Sequence, residues 1–424
     1  MSTHLSVDAL AIGREFDEGS NMTNRETAVS IAGSPGEVFR AFLKLGLTSF
    51  GGPVAHLGYF RNELVERRKW IDETGYADLV AMCQFLPGPA SSQVGFALGV
   101  LRAGSLGGLA AWCAFTLPSA VLLVLFAIGA SYFEGRVGTG LVHGLKLVAV
   151  AVVAQAVWGM ARSLTPDKQR AAIALMAILM VVFWGGAAGQ VSAILIGGLA
   201  GIGFCRVTRV SPSGHLTFPI SKRVGLIALA SFFALLGGLP LAATATGAHG
   251  IALFDVFYRA GALVFGGGHV VLPLLEEGVV RPGWIGPSEF LAGYGAAQAV
   301  PGPLFTFAAF LGAGMEPSPN GIAGAAICLV AIFAPGLLLV TGVLPFWDLV
   351  RVRPLAQAAM RGANAAVVGI LAAALYSPVA TGAILSPADF AVALVGFVLL
   401  TAWKCPPWIV VVLTGACGVG FALI

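Results

Sequence analysis

The sequence predicts an all-α polytopic membrane protein, made of two inverted-topology repeats with broken or re-entrant helices and a linking transmembrane helix. Composition, charge spacing and an internal repeat predict this fold. Of the 424 residues, 58% are hydrophobic and 10% are charged, whereas about a quarter of the residues of a soluble domain are charged. The chain has too little polar surface for a water-soluble globule, so its solvent is the lipid bilayer.

The charged residues are confined to short stretches between long apolar ones. A helix needs about 20 apolar residues to cross a bilayer. Windows between the charges and the Gly or Pro breaks predict about thirteen hydrophobic segments. They lie near residues 38–58, 76–101, 105–133, 138–162, 170–187, 190–206, 224–246, 252–275, 288–313, 320–345, 354–377, 387–403 and 406–424.

An internal repeat divides the chain into two halves, as in many secondary transporters. The aligned pairs are Lys44 to Gly52 with Arg259 to Gly267, Trp70 with Trp284, and Gln84 to Pro89 with Gln298 to Pro303. We predict a disordered cytoplasmic tail over residues 1–37, a first repeat over 38–206 and a second, inverted repeat over 251–424. Residues 207–250 form a linker that contains one transmembrane helix.

Basic residues predict the orientation of the chain, because cytoplasmic loops collect Lys and Arg. The loop after the first segment carries Arg61, Arg67, Arg68 and Lys69, and its counterpart carries Glu276, Glu277 and Arg281. If the first two segments of each half enter and leave on one side, nearly every basic loop is cytoplasmic. This predicts about nine full spans plus two pairs of broken segments in the cell (inner) membrane; thirteen full spans is the alternative.

The broken segments are the candidate site, because interrupted backbone at membrane depth is tolerated only inside protein or beside a watery cavity. A half-helix that starts there directs its unpaired N–H groups at an anion. Helix packing by small residues is the other interpretation. The candidate residues at the breaks are Phe50, Gly51, Gly52, Pro87, Gly88, Pro89, Phe265, Gly266, Gly267, Pro301, Gly302 and Pro303.

Two cations stand at equivalent places before the Phe-Gly-Gly motifs, Lys44 and Arg259. A charge inside an apolar segment costs at least about 2.5 kcal/mol, which favours a substrate contact. The alternatives are snorkelling to the interface and, for Arg259, an ion pair with Asp255 one helical turn earlier. These three residues join the candidate site, Asp255 as a secondary member.

Polar side chains near the breaks complete the candidates. Gln84 and Gln298 precede the Pro-Gly-Pro motifs and can donate to an oxyanion or to another helix. Lys146 and Arg361 form a looser pair of cations, for which interfacial anchoring is the alternative. Asp78, Asp255 and Glu289 are the carboxylates near the breaks; we interpret them first as helix-end or ion-pair residues and second as proton carriers.

Several classes of function are disfavoured by missing motifs. The sequence has no phosphate-binding loop for ATP and no hydrolase or zinc-protease motif, so neither an enzyme nor a cofactor is predicted. Its net charge of +4 is spread over loops, whereas nucleic-acid binding needs a concentrated basic face. The six cysteines lack the spacing of a metal site or a disulfide framework, and no metal is predicted.

The motif Phe50-Gly-Gly-Pro53, the basic loop after it, and Gln84-Phe-Leu-Pro-Gly-Pro-Ala-Ser-Ser-Gln93 resemble the long-chain, two-domain chromate ion transporter family, with a degenerate second copy. The resemblance implies export of chromate from the cytoplasm, chromate resistance, and sulfate as a similar tetrahedral dianion. The expected mechanism is alternating access between the breaks; a transporter or channel for sulfate or another small anion is the alternative. The sequence leaves a homodimer open.

The second copy of the motif departs from the first. Gly268 stands where the first copy has Pro53, and Leu304-Phe-Thr-Phe307 stands where it has Ala90-Ser-Ser-Gln93. We therefore expect two unequal halves, with the first half contributing more polar contacts to the substrate.

Overall fold

A computed structural model describes residues 33–130, 135–205, 218–265, 267–347, 349 and 353–423. Within these ranges every regular element is helical, and the predicted all-α class is confirmed. Residues 1–32 of the predicted tail lie outside the described residues, as does Gly266 of the candidate site.

The described part of the first half contains seven α-helices, several of which begin at a capping side chain. Ser34, Asp72 and Asp167 each accept a backbone N–H in the first turn of the helix that follows them, which satisfies a donor that the helix leaves unpaired. The helices are α1 (Pro35–Thr48), α2 (Gly52–Phe60), α3 (Glu73–Phe85), α4 (Ala90–Ala130), α5 (Arg136–Leu164), α6 (Lys168–Trp184) and α7 (Gly186–Phe204).

One long apolar helix, α8 (Lys222–Thr246), links the halves, as predicted. The second half repeats the order of the first, with the counterpart of α4 divided into α12 and α13. Its helices are α9 (His249–Ala262), α10 (Val271–Leu275), α11 (Pro287–Ala297), α12 (Phe307–Gly314), α13 (Gly321–Val343), α14 (Pro354–Ala374), α15 (Pro387–Thr401) and α16 (Pro407–Leu423).

Six of the described helices are long and apolar enough to cross a bilayer. They are Ala90–Gly129, Arg136–Leu164, Gly186–Phe204, Lys222–Thr246, Gly321–Phe346 and Pro354–Ala383. Shorter helices α6, α15 and α16 occupy three further predicted spans. The chain is a multi-pass membrane protein, and the count of nine full spans stays a prediction.

The two halves are interleaved. Helix α5 of the first half packs on α15 and α16 of the second, and α14 of the second half packs on α6 and α7 of the first. Glycines bring the backbones close: a Cβ on Gly144 would lie 2.3 Å from the Thr414 carbonyl oxygen, and one on Gly362 would lie 2.0 Å from that of Gly197. These contacts are reciprocal, so each half is completed by helices of the other.

The broken segments are interrupted as predicted. Helix α1 ends at Thr48 and α2 begins at Gly52, with Gly51 at a φ of +100°. Helix α3 ends at Phe85 and α4 begins at Ala90. The second half has the same two interruptions, between α9 and the 3-10 turn Gly268–Val270 and between α11 and the 3-10 turn Leu304–Thr306.

Candidate functional site

The interruptions of the two halves are joined crosswise by backbone hydrogen bonds. The Gly88 N–H donates to the Val264 carbonyl at 2.7 Å, and the Gly302 N–H donates to the Ser49 carbonyl at 2.9 Å. Val264 and Ser49 each precede the phenylalanine of a Phe-Gly-Gly motif. Each Pro-Gly-Pro motif is therefore held by the Phe-Gly-Gly motif of the opposite half.

The two central glycines are required by both conformation and space. Their φ values are +118° for Gly88 and +104° for Gly302, a region that residues with a Cβ avoid. A Cβ on Gly88 would lie 3.1 Å from the Gly336 Cα, and one on Gly302 would lie 2.8 Å from the Ser119 Oγ. Sequence equivalence and spatial equivalence therefore agree at the crossing.

The two Phe-Gly-Gly interruptions are also neighbours. A Cβ on Gly268 would lie 3.7 Å from the Pro53 Cγ, which places the α2 N-terminus beside the second-half turn. The four breaks listed from the sequence thus meet in one region, with Gly266 left out because it is not described.

Lys44 contacts a carboxylate of its own half. Its Nζ lies 2.8 Å from the Glu63 Oε2, and half of the Lys44 side chain is exposed. Burial raises the pKa of Glu63, but hydrogen bonds from Lys44, Arg68 and Arg67 outweigh burial and hold this pKa at about 2. Glu63 therefore stays charged and gathers the basic loop around the end of α1.

Arg259 pairs with Asp255, which is one of the three interpretations given to it above. Its Nε lies 2.9 Å from Oδ1 and its Nη2 lies 2.5 Å from Oδ2, a bidentate geometry. Asp255 is buried, whereas the arginine side chain is 41% exposed. In this conformation each of the two symmetric cations is neutralised within its own half.

The two glutamines are placed differently. Gln84 is exposed on α3, and the Gln298 Nε2 donates to the Tyr294 carbonyl of its own helix at 3.4 Å. The same motif position therefore faces two environments, and its contact with substrate stays a prediction.

Lys146 is buried and belongs to a polar cluster outside the crossing. Its Nζ is 3.4 Å from the Ser288 Oγ, and on the same helix the His143 Nε2 lies 2.6 Å from the Asp389 Oδ1. Sequence reasoning missed Asp389, although the pattern Ser386-x-x-Asp389 is typical of a helix start. Arg361, the predicted counterpart of Lys146 in the second half, is half-buried on α14.

The start of α4 and its counterpart differ in polarity. Ser91, Ser92 and Gln93 are buried in the first half, where the second half has Phe305, Thr306 and Phe307, equally buried. The sequence predicted this difference, because the second copy of the motif departs from the first. It did not identify Ser91, Ser92 and Gln93 as candidate site residues.

Comparison with known proteins gives relatives over nearly the whole chain. A chromate transport protein of Pseudomonas aeruginosa is 29% identical over 90% of each chain, and a probable chromate transport protein of Synechococcus elongatus is 29% identical over 90% of this chain and 94% of its own. An uncharacterized transporter of Methanocaldococcus jannaschii is 24% identical over 77% of this chain and 81% of its own. No solved structure matches. Because the chromate transporter family model matches twice, over residues 36–202 and 251–419, this chain belongs to the chromate transporter family.

Proposed function

We propose that this protein exports chromate, a tetrahedral oxyanion and sulfate analogue, from the cytoplasm across the cell membrane by alternating access, and so gives chromate resistance. Membership of the family and the names of two curated relatives support the substrate. The observation that carries the mechanism is the crosswise pair of bonds from Gly88 to Val264 and from Gly302 to Ser49. Through it, four half-helix ends from two halves meet in one region.

The half-helix N-termini at the breaks suit an anion, because their N–H groups are unpaired and they carry the positive end of the helix dipole. The broken-segment residues listed from the sequence are proposed to line the path. Lys44 and Arg259 are proposed to act beside it as ion pairs that can re-pair with a passing anion. An anion that leaves a cell with a negative interior gains about 2.3 kcal/mol per 100 mV for each negative charge, so export needs no ATP.

An asymmetry between α11 and α3 supports alternating access. A Cβ on Gly295 of α11 would lie 2.1 Å from the Leu145 carbonyl oxygen, so α11 is packed tightly on α5. Ala81 holds the equivalent place on α3 and is exposed. The face that is docked in α11 is thus exposed in α3.

The neighbours of this contact show the same asymmetry. Lys146 on α5 reaches Ser288 of α11, whereas the Oδ1 of Asn364, at the equivalent place on α14, is buried without a hydrogen-bond partner. By the symmetry of the repeat, we propose that α3 docks on α14 when α11 leaves α5. The structure then corresponds to a state closed outside and open toward the cytoplasm.

Transport into everted membrane vesicles tests the function. Energised vesicles from cells that produce the protein should take up labelled chromate with saturation, and Lys44→Ala and Arg259→Ala at matched expression should lower the uptake. A chain with Thr414→Val, a buried hydroxyl on α16 bonded within its own helix, serves as the control. Uptake no greater than that of empty-vector vesicles would refute chromate export.

An anion channel or a transporter for sulfate is the alternative. A channel shares the half-helix ends but lacks exchange, so chromate inside the vesicle should not accelerate entry of labelled chromate. Acceleration by internal anion supports a carrier.

A further inference from the structure

Within the described residues of the first half, eight side chains have a buried polar atom without a hydrogen-bond partner, and five of these side chains belong to residues that are at most 2% exposed. The atoms of these five are Ser49 Oγ, His56 Nε2, Ser92 Oγ, Gln93 Oε1 and Thr116 Oγ1. We call these residues the orphan group. An unsatisfied buried polar group costs about 1–3 kcal/mol, so five near one another call for a ligand that satisfies them.

Contacts link the orphan group around the start of α4. The His56 Nδ1 lies 3.4 Å from the Ser91 Oγ, and the His56 ring is 5.3 Å from the Phe115 ring, next to Thr116. Gly302 bonds to the Ser49 carbonyl and lies against Phe115 and Ser119. The group therefore adjoins the crossing of the breaks.

The start of α4 adds donors to these side chains. Pro89 precedes the helix, and the first N–H groups of a helix have no partner within it. They carry the positive end of the helix dipole. Because buried, unpartnered side chains stand in and beside this first turn, the place combines hydroxyl donors, backbone donors and one imidazole, a set that fits an oxyanion.

Gln93 adds an acceptor whose direction is fixed. Its Nε2 donates to the Pro87 carbonyl at 2.9 Å and to the Gly336 carbonyl at 3.1 Å. Two carbonyl partners fix which end of the amide is nitrogen, so the unpartnered Oε1 needs a donor. A fully deprotonated oxyanion has no donor to offer, whereas a singly protonated oxyanion has one O–H.

At the equivalent positions of the second half, all of which the structure describes, the orphan group has no counterpart. Val264, Val271, Phe307 and Phe333 stand where the first half has Ser49, His56, Gln93 and Thr116, and all four are buried. The counterpart of Ser92 is Thr306, whose hydroxyl donates to the Pro303 carbonyl at 2.7 Å. At these positions the second half has apolar side chains or a hydrogen-bonded hydroxyl, where the first half has polar atoms without hydrogen-bond partners.

We propose that the orphan group binds one singly protonated tetrahedral oxyanion per chain, with Ser49, Ser92, Thr116 and the α4 N-terminus as donors and Gln93 accepting the O–H of the ligand. This proposal rests on the proposed function and names its substrate form. Hydrogen chromate exists near neutral pH, where sulfate is fully deprotonated. The site therefore selects chromate over sulfate, although the two anions share size and shape.

Chromate uptake by the protein in liposomes tests the site. Ser92→Ala and Thr116→Val should each raise the KM for chromate about tenfold, the loss of one hydrogen bond to an anion, with a smaller change in kcat. Thr414→Val should leave the KM unchanged. For the wild type, excess sulfate should compete poorly, and the KM for total chromate should rise from mildly acidic to mildly alkaline pH.

His56 is the titratable member of the group, so a His56→Gln chain separates its protonation from that of the ligand. The rise in KM with pH should persist in that chain.

An unchanged KM in both Ser92→Ala and Thr116→Val, or sulfate competing as well as chromate, overturns the proposal while chromate transport by the wild type stands. If the wild type does not transport chromate, calorimetry on purified protein decides: chromate binding weakened by Thr116→Val supports the site, and no binding refutes it. If Thr116→Val does not yield folded protein, Ser92→Ala alone decides.

Discussion

The two halves of this protein share a backbone plan and differ in what fills it. Gly88 and Gly302 make the same crosswise hydrogen bond. The backbone N–H groups of Trp70 and Trp284 donate to the Leu64 and Val279 carbonyls, respectively. At the crossing the first half has buried polar side chains, and the second half has mostly buried apolar ones. The comparison teaches that duplication preserved the packing, while the side chains at the crossing diverged.

Replacing the glycines at the helix contacts should destabilise both halves to a similar degree. A Cβ on Gly46 would lie 2.8 Å from the Ala114 carbonyl oxygen, and one on Gly261 would lie 2.1 Å from that of Ile332. Gly46→Leu and Gly261→Leu should each destabilise the protein by at least ~3 kcal/mol, because a packed helix pair must separate. Thermal unfolding in detergent measures the loss.

The exposed Gly58 on α2, where a Cβ would meet nothing, gives the control, since Gly58→Ala should be tolerated. If only one of the two leucine variants is destabilised, the packing of the halves is less equivalent than the structure indicates.

Bulky side chains on α11 and α3 should trap opposite states. Gly295→Leu removes the room that α11 needs on α5, so it should favour the state open to the outside. Ala81→Leu leaves the present packing intact and should obstruct docking of α3 on α14. Both changes should lower transport by tenfold or more, with opposite effects on accessibility.

Labelling of a Lys146→Cys chain, in a background without native cysteines, reads out the state. An impermeant thiol reagent applied outside should react faster when Gly295→Leu is added and no faster when Ala81→Leu is added. Equal labelling in the two backgrounds would contradict the proposed exchange of helix contacts.

More of the fold than of the candidate site could be predicted from the sequence. Charge-free stretches, the repeat and the Gly and Pro breaks predicted helices, halves and interruptions, because bilayer thickness and backbone hydrogen bonding leave few alternatives. The pairing of Arg259 with Asp255 was also accessible, since four residues make one helical turn.

Contacts between distant residues were not accessible from sequence. Glu63 lies 19 residues after Lys44, and no periodicity relates a helix to the loop that folds back on it. Asp389 meets His143 across 246 residues, in an interleaved packing that a linear repeat does not reveal. The polar start of α4 was visible as Ala90-Ser-Ser-Gln93, but its lack of partners is a property of the packing.

The carboxylates that pair with the symmetric cations should contribute differently to the stability of the protein. Among the described residues, three cations contact Glu63 and one contacts Asp255. Glu63→Gln should destabilise the protein by ~2 kcal/mol, discounted because Lys44 and Arg67 are exposed, and Asp255→Asn by less. Melting temperatures of the two variants, measured side by side, test the order.

The pKa of Glu63 gives this comparison a pH dependence. It is about 2 in the folded protein and 4.5 ordinarily, so the stabilisation is fully present above pH 4.5 and is lost as pH falls toward 2. The gap in melting temperature between wild type and Glu63→Gln should narrow over that window. A gap that stays constant would show that Glu63 acts by packing alone.

The smallest effect is expected at the exposed ion pairs of the same loops. Arg61 contacts Glu66 and Glu73, and Arg281 contacts Glu277 in the counterpart loop. Arg61→Gln and Arg281→Gln should leave the melting temperature unchanged within error, because solvent screens such pairs. If Arg61→Gln nevertheless lowers the melting temperature while Arg281→Gln does not, the basic loop of the first half holds α3 in place as well as setting orientation. The difference between the halves would then extend from the crossing to the membrane surface.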